Sequence, residues 1–184
     1  MKKLRSFQPI SSNNAGVLIL GSMPGKRSLD AGQYYAHPRN SFWKIMEGIT
    51  GLNASAGYDE RVRLLKDHAI AVWDVLHSCR REGSLDAAIR AGSVKANDFN
   101  AFFRRHPEIH TVLFNGAAAE RYYKQYVVPK LERTAMNLIR MPSTSPAHAA
   151  MSFKQKISAW RKGIGAKQAA PRDRVKKRNA RARS

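Results

Sequence analysis

The chain has 184 residues, room for one domain of ordinary size, and its 43% hydrophobic share is that of a folded protein. Its 33 Lys and Arg against 13 Asp and Glu give a net charge of +20, which points to a polyanionic partner, nucleic acid ahead of an acidic membrane surface. The single cysteine, Cys79, excludes an internal disulfide framework and any four-cysteine metal site, and no apolar run approaches a membrane span.

The start, MKKLRSFQPISSNN, carries lysines with no apolar stretch behind them, so it does not read as a secretory signal. Residues 1–15 are expected to be an N-terminal extension, and the protein to be soluble and cytoplasmic, with access to DNA. VLILG (17–21) is an apolar run of the kind buried parallel strands show, and it passes into the turn GSMPG. The loop YYAHPRN leads to SFWKIMEGI (41–49), where Phe42, Ile45, Met46 and Ile49 fall on one helical face. A second helix is expected over about 58–67. AIAVWDVL (69–76) is the next strand, followed by short helices over 84–91 and 97–105. TVLFNG (111–116) is a third strand, 116–126 a helix, NLIRMPSTSP (137–146) a fourth strand with its loop, and 149–162 a last helix. Such alternation predicts a three-layer α/β/α domain over 16–165 around a mainly parallel, four-stranded sheet. From about residue 166 the chain has eight Lys and Arg, one acid and no aromatic; it reads as a disordered basic tail supplying +7, so +13 stays on the folded part.

In a parallel sheet ligands bind at the carboxyl ends of the strands, so the loops after the four strands are read together. In GSMPGKR, Gly21 and Gly25 let backbone approach a ligand around Ser22 and Met23, Pro24 stiffens the turn, and Lys26 and Arg27 add positive charge. The turn is neither GxxxxGK[ST] nor GxGxxG. Tyr34 and Tyr35 lie ahead of a helix, where an aromatic ring can wall a planar base. Asn40 or Ser41 is placed to cap that helix, and His37 reads as a structural hydrogen-bonding residue. Asn115 offers one acceptor and two donors, enough to read a base edge, or else closes a turn with Gly116. In MPSTSPAHA, Ser143, Thr144 and Ser145 lie between prolines, a rigid hydroxyl-rich loop suited to phosphates; with Pro146 and Ala147 it could also enter a duplex. Asp74 reads as a structural acid in a strand-end turn, and Arg80 and Arg81 as part of the basic face.

GSMPG, YYAHPRNSFWK, WDVLHSCRREGSLD, FNG and PSTSPA, in this order, resemble the motifs of the uracil-DNA glycosylase superfamily. The fit is closest to its hypoxanthine-DNA glycosylase (DNA-deoxyinosine glycosylase) branch, related to the mismatch-specific thymine/uracil enzymes, and covers about residues 16–160. The resemblance implies a monofunctional glycosylase that hydrolyses the bond between a deaminated base and deoxyribose in DNA, with no metal or organic cofactor. By position it makes Tyr35 the ring that stacks on the flipped base, Asn115 the asparagine that bonds it, Ser143–Ala147 the loop that enters the duplex, and Asn40 the catalytic asparagine. Met23 stands where relatives place a polar residue that orients water, and a thioether cannot do so, which favours hypoxanthine over uracil. A monomer is expected. Two other readings stay open: a non-catalytic basic DNA-binding protein with this fold, and an enzyme of another class on the same sheet, against which the missing serine elbow counts.

Overall fold

The computed structural model describes residues 3–51, 53, 55–148 and 150–165. The basic tail lies outside the described residues. The elements in chain order are β1 (Lys3–Arg5), β2 (Val17–Gly21), α1 (Lys26–Ala31), α2 (Phe42–Thr50), α3 (Tyr58–Asp67), β3 (Ile70–Asp74), β4 (Leu76–Arg80), β5 (Lys95–Ala96), α4 (Phe99–Arg105), β6 (Thr111–Asn115), α5 (Ala117–Tyr126), β7 (Asn137–Met141) and α6 (Phe153–Gly165). Four strands pair in the order β3-β2-β6-β7, all parallel. Every residue of β2 and β3 is buried, as their apolar runs require, while the edge strand β7 alternates between half-buried and exposed positions before ending on buried Met141.

The register decides which residues face which layer. Trp73 and Phe114 both align with Leu20, so the three stand side by side on one face of the sheet. Helices α4 and α5 cover that face: Trp73 meets Phe99 and Phe102 at ring-centroid distances of 5.2 and 4.9 Å, and Phe114 meets Tyr123 at 5.1 Å. Leu113 points the other way, toward Gly163 of α6, and α6 packs on α2. The close approach of these two helices depends on Gly48, where an added Cβ would lie 2.1 Å from Ile157 Cδ1. The three-layer α/β/α architecture expected from the alternation is the one observed.

Local differences from the sequence expectations have physical causes. Residues 84–91 hold only 3-10 turns, at Asp86–Ala88 and Ala91–Ser93, because that segment has few apolar positions to bury. Lys26–Ala31, expected as loop, is a short helix closed by Gly32 in the left-handed region. The 76–80 segment leaves β3 as a new strand, β4, and forms a three-stranded antiparallel sheet in the order β1-β4-β5. The chain before β2 is therefore tied into the fold: Lys3–Arg5 pair with β4, and Ile10 bridges Val72. Among the described residues no helix is long and apolar enough to cross a membrane.

Candidate active site

The carboxyl ends of the central strands form a row. Gly21 is in register with Asp74 and Asn115 with Met141, so the last residues of β3, β2, β6 and β7 sit side by side. Above this row opens a cavity of about 310 Å³. All the candidate residues line it: Gly21, Ser22, Met23, Pro24, Gly25, Lys26, Arg27, Tyr35, Asn40, Asn115 and Ser143–Ala147. So do Tyr34, which the sequence offered beside Tyr35 as a wall, His37 and Asp74, which it read as structural, and Leu85 and Asp86, which it did not single out. A larger cavity of about 600 Å³ between β5, α4 and the end of α5 takes only His77 from the motif blocks and none of the candidate site residues.

Tyr35 adopts a left-handed backbone (φ 55°), uncommon for an aromatic residue and found where surroundings over-determine the conformation. Its ring stacks on Phe42 at 3.9 Å with planes 21° apart, while its hydroxyl is buried without a hydrogen-bond partner. Phe42 and Trp43 are buried anchors of α2, and the Trp43 indole donates to the Tyr34 carbonyl at 3.1 Å. One face of the Tyr35 ring is thus fixed against the core, and the half-buried side chain walls the cavity.

Asn40 sits ahead of α2, where its Oδ1 accepts a hydrogen bond from the Phe42 N–H at 3.0 Å. Ser41 occupies the N-cap position but makes no side-chain cap bond. Capping and lining are therefore not alternatives for Asn40: one lone pair of Oδ1 holds the helix start, and a second lone pair and the Nδ2 group remain. His37 Nδ1 accepts from the Arg39 N–H at 3.1 Å, the structural role expected of it.

Asn115 differs from a freely presented base reader. Its Nδ2 donates to Thr144 Oγ1 at 2.9 Å, and its Oδ1 accepts from the Thr144 N–H at 2.8 Å. Thr144 is 1% exposed, and its carbonyl accepts from both the N–H and the hydroxyl of Ser41, at 3.0 and 3.2 Å. The amide of Asn115 fastens the 143–147 loop to the end of β6, with one donor hydrogen and one lone pair left over.

The GSMPG turn is held from below. Arg81 was expected on the basic face, yet its side chain is fully buried, because the Pro24 and Gly83 carbonyls accept its guanidinium hydrogens and Asp86 Oδ1 lies 3.8 Å away. Arg80 next to it is exposed. Ser22 donates to Asp86 Oδ1 at 2.7 Å, and the Ser84 hydroxyl accepts from the Lys26 N–H at 2.9 Å. The Lys26 ammonium pairs with Asp30 at 2.7 Å, and both remain largely exposed. Met23 is 6% exposed and places a thioether in the turn.

Asp74 caps no helix and belongs to the cavity floor. It is 3% exposed, and its Oδ2 is enclosed with no hydrogen-bond partner. Burial, then the charge of Asp86, push its pKa up to about 8 despite opposing effects from Arg81 and the Tyr34 hydroxyl. Asp86 is also raised, first by burial, against its bonds to Ser22 and the nearby arginines. Burial and the adjacent Asp74 keep both tyrosine hydroxyls, Tyr34 and Tyr35, protonated far above neutrality. The sequence signal for Asp74 was an acid at the end of a buried apolar run, where such sheets bind ligands.

Comparison with known proteins agrees with this geometry. The family model for the uracil DNA glycosylase superfamily matches residues 8–164. A hypoxanthine DNA glycosylase of Methanosarcina barkeri (strain Fusaro / DSM 804) is 38% identical over 161 residues, spanning 87% of this chain and 96% of the relative. One from Methanosarcina acetivorans is 33% identical over 157 residues, 85% and 94% of the two chains. A solution NMR structure of a Methanosarcina acetivorans protein assigned provisionally to the uracil DNA glycosylases superposes with a TM-score of 0.76 at 30% identity, covering 91% of this chain and all of that one. With motif loops converging on one strand-end cavity and the family match running through nearly the whole described domain, the chain belongs to the uracil DNA glycosylase superfamily.

Proposed function

We propose that the protein is a monofunctional DNA glycosylase that hydrolyses the N-glycosidic bond of hypoxanthine in DNA. The observation that carries this reading is the meeting of Tyr35, Asn40, the GSMPG turn and the 143–147 loop around one cavity in a chain 33–38% identical to proteins named hypoxanthine DNA glycosylase. Action as a monomer is part of this reading.

The target nucleotide leaves the stack at a cost of a few kcal/mol, less for a mispaired base. The 143–147 loop supports the opened strand, with hydroxyls and backbone N–H groups facing phosphates. Lys26, Arg27 and the net positive charge add affinity that falls as salt rises. The extruded base stacks on Tyr35, and backbone groups of 21–25 with the spare valences of Asn115 meet its edge. As the bond lengthens, positive charge grows on the sugar and negative charge on the base, and fixed dipoles in the cavity stabilise that separation. Asn40 positions the attacking water through its free lone pair and Nδ2. It is no strong base, but a cationic sugar requires only a weak nucleophile. Met23 supplies no polar group for water, so uracil is the poorer substrate.

The test is single-turnover release of free base from duplexes carrying deoxyinosine, deoxyuridine or no lesion, with abasic sites cut by alkali. Release from deoxyinosine, little from deoxyuridine, and a loss of about a hundredfold or more in Asn40→Ala are expected, given the size of transition-state contacts. Binding without release from any duplex would instead favour the non-catalytic reading.

A further inference from the structure

The carboxyl group of Asp74 has a setting that the water-positioning role of Asn40 does not use. It lies on the cavity floor opposite the bare backbone of Gly21, where an added Cβ would sit 2.5 Å from Asp74 Oδ1. Among the described residues no cation is paired with it: Arg81 bonds the Pro24 and Gly83 carbonyls and faces Asp86. The Asn97 amide donates to the main-chain carbonyl of Asp74, at 2.8 Å, and not to its carboxyl group, which has the Tyr34 hydroxyl as a hydrogen-bonding neighbour. The titratable and charged groups that face it are the hydroxyls of Tyr34 and Tyr35, ahead of α2, and Asp86 and Arg81, after β4. An enclosed carboxylate with no hydrogen bond to its Oδ2 is costly, so the group retains its proton through neutral pH. The cavity floor therefore offers one transferable proton beside the place where a base would enter.

Resting on the hypoxanthine reading above, we propose that Asp74 is the general acid of the reaction, protonating the departing purine on its imidazole ring. The Asp74 O–H gives its proton to N7 of hypoxanthine while the electron pair of the C1′–N9 bond stays with the base. The base leaves neutral instead of as an anion. The water oxygen bonds to C1′, and the proton it releases returns through solvent to the Asp74 carboxylate. The step consumes only water. A pyrimidine has no imidazole ring to accept this proton, so the same residue selects for purines.

The experiment measures single-turnover hypoxanthine release from a deoxyinosine duplex between pH 5 and 9, for the unsubstituted protein and Asp74→Asn, with binding of the same duplex followed in parallel. Asparagine keeps the shape and a hydrogen-bond donor but has no proton to transfer. The expected rate of the unsubstituted protein is level at low pH and falls above about pH 8, tenfold per unit. Asp74→Asn should bind within about threefold of the parent, lose about 10²–10⁴-fold in rate, and lose the alkaline fall. An Asp74→Asn rate close to the parent's overturns the assignment. So does a slow variant that keeps the alkaline fall, which would make Asp74 a positioning residue, or one whose rate loss is matched by lost binding. No release by the unsubstituted protein would refute the hypoxanthine reading itself and this proposal with it.

Discussion

Replacing Asp74 by asparagine should stabilise the fold, and increasingly so as pH rises. In the folded protein the carboxyl group keeps its proton up to about pH 8. In the unfolded chain it ionises near pH 4. Between these values the folded state binds more protons than the unfolded state, so stability is lost as pH increases. Each pH unit in that window costs about 1.4 kcal/mol, and the whole window about 5 kcal/mol. Asparagine has the same shape and no proton to lose, so its advantage over the parent grows from near zero at pH 4 to that amount near pH 8. The assay is urea unfolding of both proteins at pH 5, 6, 7 and 8. Asp86 and the other groups are present in both, so the difference in unfolding free energy reports Asp74 together with its charge coupling to Asp86. A difference that rises by about 1 kcal/mol or more per unit is expected. A constant difference would refute the argument, because it would mean that Asp74 ionises normally and is neither desolvated nor unpaired.

Two other substitutions probe the same floor and its loop. Gly21→Ala forces a methyl group to 2.5 Å from Asp74 Oδ1 and 3.4 Å from the Tyr35 hydroxyl; it should cost about 1–3 kcal/mol in urea unfolding and abolish base release. Thr144→Val removes the acceptor of the Asn115 amide in a site that is 1% exposed, and about 1–3 kcal/mol should be lost from the same measurement. Its duplex affinity should fall with it, as measured by fluorescence anisotropy, because the 143–147 loop loses one of its two bonds to Asn115.

The sheet was legible because β2, β3 and β6 are carried by buried apolar runs, and the cleft followed from where such strands end. The motif loops could be placed around one site for that reason, without knowing how any side chain turned. Three things depended on side-chain packing and could not be read. Arg81 looks like its exposed neighbour Arg80 in sequence, and only the carbonyls beneath the GSMPG turn explain its burial. Asp74 looked like a turn acid because the glycine opposite it and the carboxylate near it lie 53 and 12 positions away. Asn115 looked free to read a base because its partner, Thr144, is 29 positions distant. The strand β4 was hidden by the polar residues of HSCR, of which only Arg80 is exposed while Ser78 is buried in the small antiparallel sheet.

The hydrogen bonds that join Asn115, Thr144 and Ser41 have a consequence for how a lesion is found. They lash the end of β6, the 143–147 loop and the start of α2 into one block, so the jaws of the cleft have little freedom to close. Discrimination then falls to the DNA: a site is sampled according to how readily its own base pair opens. Across a set of deoxyinosine duplexes differing only in the opposing base, turnover should rank with the looseness of the pair, the protein acting as a fixed gauge against which the helix tests itself.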